Sequence, residues 1–211
     1  MRPPAVTLNR DMALTFSVTW DYRCPFARIV HDHVVTGLEA GADWDVTFVP
    51  FSLGQVHVAE GETDIWERPQ DDTGLLALQA GVVVRDQHPD QFLAVHRGLF
   101  DARHLRGAKI DDPEALEAIL DEGGVDGAAV LATVAEGSAL ETVRKEHESI
   151  AASHDVWGVP TFVVGPEATF VRLMRTPDGD AELATRSVER IVDLVQGWPD
   201  LNEFKHTSIP R

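Results

Sequence analysis

Cys24 is the only cysteine of the chain, and its surroundings suggest a nucleophile. A strand pattern ends just before it, and Cys24-Pro25 then opens a helical pattern. In the first turn of a helix, backbone N–H groups lack intrahelical partners and the helix dipole favours negative charge. Arg23 and Arg28 are expected to add positive charge nearby, so we expect the thiol to ionise more readily than a free cysteine. The alternative is a small, buried, inert cysteine.

Nine histidines raise the question of a metal site, but their spacing does not favour one. His31 and His33 lie two apart on a predicted helix and face different directions. His147 and His154 lie seven apart, too far for one ion without a third ligand between them. The chain has no HExxH motif and no second cysteine, so we expect no metal ion. His31 lies about two helical turns after Cys24, where we expect a half-exposed ring that tunes the thiol weakly.

The elements that position Cys24 are predicted to be a strand and a helix. Apolar residues alternate with Thr and Ser from Ala13 onward, which is typical of a strand, at Leu14, Phe16, Val18 and Trp20. Apolar residues then recur at steps of four, which is typical of one helix face, until Gly41 ends the pattern. A second alternating segment at 44–51 predicts another strand. Strand, helix and strand imply a parallel, right-handed βαβ unit.

The middle of the chain predicts an all-helical block. Residues 52–72 are predicted to form a loop, and several helices follow it up to His154. Good N-terminal residues and a Ser138-x-x-Glu141 capping box favour helix starts at Thr73, Asp112, Asp126 and Ser138. Pro89 interrupts the first of these helices, and a second helix is predicted to follow it up to about His104.

After residue 154 the pattern returns to strands. Segments 159–164 and 169–173 predict a hairpin, and apolar residues at helical spacing predict a final helix over about 182–195. A tail at 198–211 is expected to be held against the body by Trp198, Leu201 and Phe204.

Length and charge exclude several classes of function. The chain has 211 residues, which suits one domain with a large insertion or two small domains. Acidic residues outnumber basic ones 35 to 18, and a net charge of −17 repels phosphate backbones, so nucleic acid and anionic membranes are not expected partners. No apolar run suggests a signal peptide or a membrane span. A lone cysteine favours the reducing cytoplasm.

Two motifs stand at the start of the first helix and of the third predicted strand. They are Cys24-Pro25-Phe26-Ala27 and Gly158-Val159-Pro160-Thr161-Phe162. Together with the order βαβ, helical block, ββα, they resemble the thioredoxin fold, and the long insertion resembles the DsbA-like family. That family includes bacterial dithiol oxidoreductases, 2-hydroxychromene-2-carboxylate isomerases and kappa-class glutathione transferases. The resemblance covers about residues 14–197 and implies an α/β, thioredoxin-like fold with a large all-helical insertion.

The chain departs from the family pattern in two ways. Dithiol members carry Cys-x-x-Cys, whereas Ala27 stands at the second cysteine position, and the transferases and isomerases usually carry Ser where this chain has Cys24. We therefore expect a cytoplasmic DsbA-like thiol–disulfide oxidoreductase acting through a single cysteine with an external low-molecular-weight thiol. Two alternatives remain open. One is a thiol-conjugate transferase or isomerase of the kappa-class or hydroxychromene-carboxylate type, and the other is a non-catalytic thioredoxin-fold binding module.

The resemblance also implies a set of site residues. Cys24 and Pro160 are the expected catalytic residues, with a cis bond before Pro160 and the backbone of Val159 offered to the substrate. The alternative for Pro160 is an ordinary trans proline at a strand edge. The residues expected to bind the substrate are Pro25, Phe26, Ala27, Arg28, Trp157, Val159 and Thr161.

The expected ligands follow from this chemistry. They are a small thiol or disulfide, with glutathione or mycothiol as a co-substrate and no tightly bound cofactor, and protein disulfides as further substrates. The oligomeric state is left open.

The expected division of the chain has three parts. A thioredoxin-like domain is formed by 13–52 and 156–197, a helical domain is inserted at 53–155, and the tail is 198–211. The helical domain is expected to fold back over the Cys24 end of the sheet and leave a cleft there. Its lining would come from Trp66, Trp157 and Phe26, which fit a plain core equally well.

Overall fold

The computed structural model describes residues 13–203 and 205–206, and a four-stranded mixed sheet forms its centre. The strands are β1 (Leu14–Trp20), β2 (Trp44–Pro50), β3 (Thr161–Val164) and β4 (Glu167–Phe170), in the order β2-β1-β3-β4. β1 pairs in parallel with β2, as the βαβ pattern predicts, and antiparallel with β3. β3 and β4 form an antiparallel hairpin.

Two helices lie side by side against this sheet. Helix α1 (Pro25–Glu39) connects β1 to β2, and the last helix, α8 (Ala181–Gly197), packs against α1, β3 and β4. The apolar residues at steps of four bury the inner face of α1, including Val30 and Val34. Across the sheet Phe16 stacks on Phe162, with ring centroids 5.5 Å apart. The α/β thioredoxin-like fold with a helical insertion is confirmed.

The insertion between β2 and β3 is entirely helical. It comprises α2 (Leu53–Val56), α3 (Leu75–Gln87), α4 (Pro89–His104), α5 (Pro113–Glu122), α6 (Gly127–Ala135) and α7 (Ser138–His154). Helix α3 packs against α4, α6 and α7, while α4 packs against α1 and α7 against β2. The insertion therefore shares its core with the sheet domain. None of the helices in the described part of the chain is both long and apolar enough to cross a bilayer.

The segment predicted as a loop contains short helical turns. Besides α2, it forms 3-10 turns at Ile65–Glu67 and Pro69–Asp71. Thr73 does not cap α3. Gly74 is the N-cap residue, and the carboxylate of Asp72 accepts the N–H groups of Gly74 and Leu75, both at 2.8 Å.

The predicted capping box at Ser138 is also wrong. Ser138 is already inside α7, and Gly137 is the N-cap residue in the left-handed conformation, with φ of 87°. A side chain one position too late does not reach the free N–H groups as a cap, so no side chain caps α7.

The second strand of the β3–β4 hairpin lies closer to the turn than predicted. Gly165, with φ of 59°, and Pro166 form a two-residue connection, because Val164 pairs directly with Glu167. β4 therefore lies earlier in the chain than predicted. In the tail, Trp198 is 56% exposed and does not hold the chain down, Leu201 is half-buried, and Phe204 lies outside the described residues.

Candidate thiol site

Cys24 is the N-cap residue of α1, and its sulfur contacts two distant parts of the chain. Its backbone is extended, with φ of −85° and ψ of 116°, and its Sγ accepts the N–H of Ala27 at 3.4 Å. The same sulfur lies 3.3 Å from the carbonyl oxygen of Val159, to which the thiol donates. The Val159–Pro160 peptide bond is cis. The structure therefore brings together the two motifs that carry the family resemblance.

The prediction of an easily ionised thiol is wrong. Cys24 is only 8% exposed, and burial raises the pKa of its thiol above the ordinary value. The N–H groups of Ala27 and Phe26 and the charge of Arg172 lower that pKa, and Asp21 raises it. Desolvation dominates, because the charged form loses its water. Donation of the S–H to a carbonyl also favours the neutral form.

The two arginines expected to assist Cys24 are paired elsewhere. Arg23 donates to Asp21 and Asp72, each at 2.8 Å, and the Nε of Arg28 donates to Asp101 at 2.9 Å. Their charges are neutralised by carboxylates, which explains why neither lowers the pKa of the thiol. Arg28 thus links α1 to the insertion.

A buried ion network holds the loop before Cys24. Asp21 is buried and accepts from Arg23 and from the backbone N–H of Leu53 at 2.8 Å. Asp72, at the start of α3, accepts from Arg23 on its other side. A β-carbon at Gly74 would clash with the side chain of Arg23, so glycine leaves room for this arginine. Residues from the segment before α1 and from the insertion therefore fix the approach to the thiol.

A chain of hydrogen bonds runs beneath the same loop. The Tyr22 hydroxyl lies 2.8 Å from Nδ1 of His96, whose Nε2 lies 2.9 Å from Nδ1 of His31. The Nε2 of His31 faces the carbonyl oxygen of Thr19 at 3.1 Å and must donate to it. Its Nδ1 is then an acceptor, so His96 donates from Nε2 and accepts from Tyr22. This assignment satisfies every member with both rings neutral.

Burial keeps these two rings uncharged. His31 is 1% exposed, so the expectation of a half-exposed ring is wrong. Desolvation lowers the pKa of His31 to about 4 and places that of His96 well below its usual range. Burial likewise raises the pKa of Tyr22 far above its ordinary value.

The predicted substrate-binding residues fall into two groups. Three of them reach the surface beside Cys24: Pro25 and Trp157 are exposed, and Phe26 is half-buried. The other three, apart from Arg28, are buried: Ala27, Val159 and Thr161. Thr161 donates its hydroxyl to the Gly158 carbonyl at 2.8 Å, which is a structural contact. Ala27 offers its N–H to the sulfur, while its methyl group is enclosed.

Two residues near the thiol were missed from the sequence. The guanidinium carbon of Arg172 lies 4.8 Å from the ring centroid of Phe26 and 5.2 Å from that of Phe170. Trp157 packs against Phe170 with centroids 4.7 Å apart. Phe170 and Arg172 lie two residues apart in the segment predicted as a strand at 169–173, and this spacing indicates that they share a face.

The insertion does approach the thiol, as expected. Nε2 of His104, at the end of α4, lies 2.9 Å from the Tyr22 carbonyl oxygen. Trp66 is 7% exposed and belongs to the core, so it does not line a cleft. An open groove of about 810 Å³ runs instead along β2, between α3, α4 and α7. Neither Cys24 nor Pro160 lines this groove.

Several solved structures share this fold at low sequence identity. Reduced DsbA1 from Neisseria meningitidis superposes with a TM-score of 0.57 at 17% identity, covering 91% of this chain and 89% of that one. The cytosolic disulfide reductase DsbM from Pseudomonas aeruginosa, solved with GSH, gives a TM-score of 0.58 at 15% identity, covering 86% and 100%. ScsC from Proteus mirabilis gives 0.58 at 19% identity, covering 88% and 85%.

Sequence comparison agrees with the structural similarity. The uncharacterized protein Rv2286c of Mycobacterium tuberculosis is 24% identical over 197 residues, which cover 93% of this chain and 83% of the relative. The family model described as the DSBA-like thioredoxin domain matches residues 16–175, from β1 past the second motif. This match spans most of the chain, and the protein therefore belongs to the DSBA-like thioredoxin domain family.

Proposed function

We propose that this protein is a thiol–disulfide oxidoreductase that acts through the single sulfur of Cys24. The observation that carries the proposal is the approach of this sulfur to Val159, 135 positions away in sequence, at 3.3 Å. A peptide or small thiol that hydrogen-bonds to the backbone at Val159 would thereby be placed beside the nucleophile. The family and the named activities of its structural neighbours support the same chemistry.

The proposed cycle consists of two thiol–disulfide exchanges. The Cys24 thiolate attacks one sulfur of a substrate disulfide, forming a mixed disulfide and releasing the other sulfur as a thiolate. An external thiolate then attacks the substrate sulfur of that mixed disulfide. The Cys24 thiolate leaves, and the substrate departs in a new disulfide with the external thiol. The external thiol is needed because Ala27 replaces the second cysteine of the dithiol members.

A low-molecular-weight thiol, glutathione or mycothiol, is the proposed external partner. The structural neighbour DsbM is described as solved with GSH, which supports a small thiol of this kind. The cytoplasm is the proposed compartment, because a lone cysteine makes no internal disulfide and DsbM is described as cytosolic.

Intact-mass spectrometry after incubation with excess oxidised glutathione tests the proposal. The native protein should gain one glutathionyl unit, and the Cys24→Ser variant none. Ala27→Cys should shorten the life of this adduct and give an internal disulfide between Cys24 and the introduced thiol, because attack within one molecule is faster. Ala27→Ser, which has a similar volume without a thiol, should keep the long-lived adduct and is the matched control.

The second candidate is a non-catalytic binding module. It is favoured by the burial of Cys24 and by the raised pKa of its thiol. An absence of any adduct on the native protein, even in alkaline buffer, would overturn the oxidoreductase proposal and favour this candidate.

A further inference from the structure

Arg172 is a cation near the thiol that has no partner carboxylate among the described residues. Most of the described arginines pair with carboxylates, such as Arg23 with Asp21 and Arg85 with Glu146 at 2.6 Å. Arg103, Arg175 and Arg190 also have no such partner among the described residues, but Arg172 is the one of them that contacts Phe26, beside Cys24. Arg172 is exposed, and its described contacts are with the aromatic rings of Phe26 and Phe170. In a protein of net charge −17, an arginine left without a carboxylate has its charge available to a ligand.

The aromatic rings hold this guanidinium without using its donors. A guanidinium interacts with a ring through its face, while its N–H groups lie in its own plane. Phe26 and Phe170 carry no acceptor atoms, so these contacts leave the N–H fork of Arg172 unoccupied. Trp157, which is 63% exposed, continues the aromatic surface from Phe170.

Three connections place Arg172 beside the reacting sulfur. The N–H of Val171 donates to the Pro160 carbonyl at 3.0 Å, which fixes the next residue along the chain. Phe26, which contacts the guanidinium, lies two residues after Cys24 in the first turn of α1. The positive charge of Arg172 also acts directly on the thiol, whose pKa it lowers.

We infer that Arg172 determines specificity by binding a carboxylate of the thiol or disulfide substrate. This inference rests on the proposed function and adds the substrate class, namely small thiols and disulfides with a carboxylate close to the reacting sulfur. The guanidinium fork matches a carboxylate in shape and charge and can bind it bidentately. Phe170 and Trp157 provide an apolar wall against which the body of the substrate packs. The reaction is the exchange already described, with no additional reagent.

Two aromatic disulfides that differ in charge test the inference. We propose to measure the rate constants for modification of Cys24 by 5,5′-dithiobis(2-nitrobenzoate), which carries carboxylates, and by neutral 4,4′-dithiodipyridine. The readout is the rate constant for 5,5′-dithiobis(2-nitrobenzoate) divided by that for 4,4′-dithiodipyridine, at one pH and salt concentration. A change in the thiolate fraction scales both rates alike, so the ratio isolates recognition of the carboxylate.

Arg172→Gln should lower this ratio by about fivefold, near the upper end for an exposed charge pair. Arg172→Lys should lower the ratio less than Arg172→Gln does, because lysine keeps the positive charge but lacks the paired N–H donors of the guanidinium. Arg175→Gln is the matched control. Arg175 is also exposed, and among the described residues it makes no cation–π contact, so its loss changes the net charge equally and should leave the ratio unchanged.

Three results would overturn the inference. An unchanged ratio in Arg172→Gln, with both reagents still reacting, would refute it and leave the proposed function standing. An equal fall in Arg175→Gln would show that net charge, and not Arg172, sets the preference. A native protein that reacts with neither disulfide would refute both the inference and the proposed function.

Discussion

At the scale of single residues, the environment of Cys24 satisfies the hydrogen-bonding groups of a protonated thiol. Its sulfur accepts from Ala27 and donates to Val159, and only a small part of it reaches solvent. A thiolate with a raised pKa is scarce at neutral pH, but each thiolate formed is a stronger nucleophile than one of low pKa. Slow reaction at pH 7 and fast reaction in alkali therefore follow from the same site.

The pH dependence of alkylation measures this directly. We expect the rate of Cys24 modification by iodoacetamide to rise with a midpoint above about 8.5, the value of an unperturbed cysteine. The cause is desolvation of the thiolate, which outweighs the helix-terminal N–H groups. Arg172→Gln should move the midpoint further up, because it removes a charge that favours the thiolate. A midpoint below about 8.5 would show that the helix terminus dominates instead.

The buried histidines predict loss of stability in acid. His31 is neutral in the folded protein down to about pH 4, whereas in the unfolded chain it gains a proton near pH 6.5. Because the unfolded state then binds more protons, the free energy of unfolding falls as pH falls through this window. His31 alone should lower the free energy of unfolding by about 3 kcal/mol between pH 7 and pH 4.

Urea unfolding at pH 7, 5.5 and 4 checks this expectation. His31→Gln should lose stability at pH 7 but show a shallower fall toward pH 4, because the titrating ring is gone. His57→Gln changes an exposed histidine and should follow the native protein. If the free energy of unfolding fell equally with pH in the native protein and in His31→Gln, the assignment of a depressed pKa to His31 would be contradicted.

At the scale of elements, the segment before α1 is tied to the start of α3. Arg23 lies between the carboxylates of Asp21 and Asp72, and Asp72 also caps α3. These charges are largely buried, so removal of one partner leaves another without compensation. The ion network therefore couples the position of the thiol to the folding of the insertion.

Asp72→Asn should destabilise the protein by about 3 kcal/mol, the lower end for breaking a buried pair. The amide keeps an oxygen for the cap of α3 but loses the charge that Arg23 requires. Asp71→Asn, next in sequence, breaks an exposed pair with Arg68 and should cost less than about 1 kcal/mol. Equal losses of unfolding free energy for the two variants would argue against the buried network.

Local sequence patterns predict most elements of this fold. The alternation from Ala13 matches β1, and the predicted bounds of α4 agree with the structure. Asp112 and Asp126 cap their helices as expected, accepting the N–H groups of Glu114 and Ala129. These features succeed because each depends on residues within a few positions of one another.

The features that sequence does not predict depend on distant contacts. The pKa of Cys24 is set by burial against Val159, and the pairing of Arg23 is completed by Asp72. A helix terminus is visible in a sequence, but the desolvation that opposes it is not. Arg172 reaches the site through the register of β3 and β4, which the hairpin turn shifts from its expected position.

At the scale of the whole molecule, the net charge of −17 means that carboxylates across the surface repel one another. Compact states of such chains are destabilised at low ionic strength, where charges interact over about 30 Å, and salt shortens this range to about 8 Å. Closely paired charges such as Arg85 and Glu146 are less affected, because they lie partly buried and in contact.

The melting temperature should therefore rise with salt. Between about 10 mM and 150 mM sodium chloride, relief of about 1 kcal/mol of repulsion would raise it by roughly 2–4 °C. Potassium chloride should act equally, because screening does not depend on the identity of the cation. A fall in melting temperature with added salt would show that ion pairs outweigh the repulsion.

The contacts between the Cys24 loop and the insertion also bear on how this chain can change by descent. A shortened descendant without the insertion would lose the partners of Tyr22 and one of the two partners of Arg23, and it would expose the surface on which these side chains rest. Descendants that keep the thiol site are therefore expected to keep α3 and α4. Helices α5 and α6 pack on α4 and α3, and they bury apolar residues such as Leu116 and Val130. Natural deletions should therefore accumulate in the exposed connections between these helices, and the segment from Asp72 to His104 should be passed on whole.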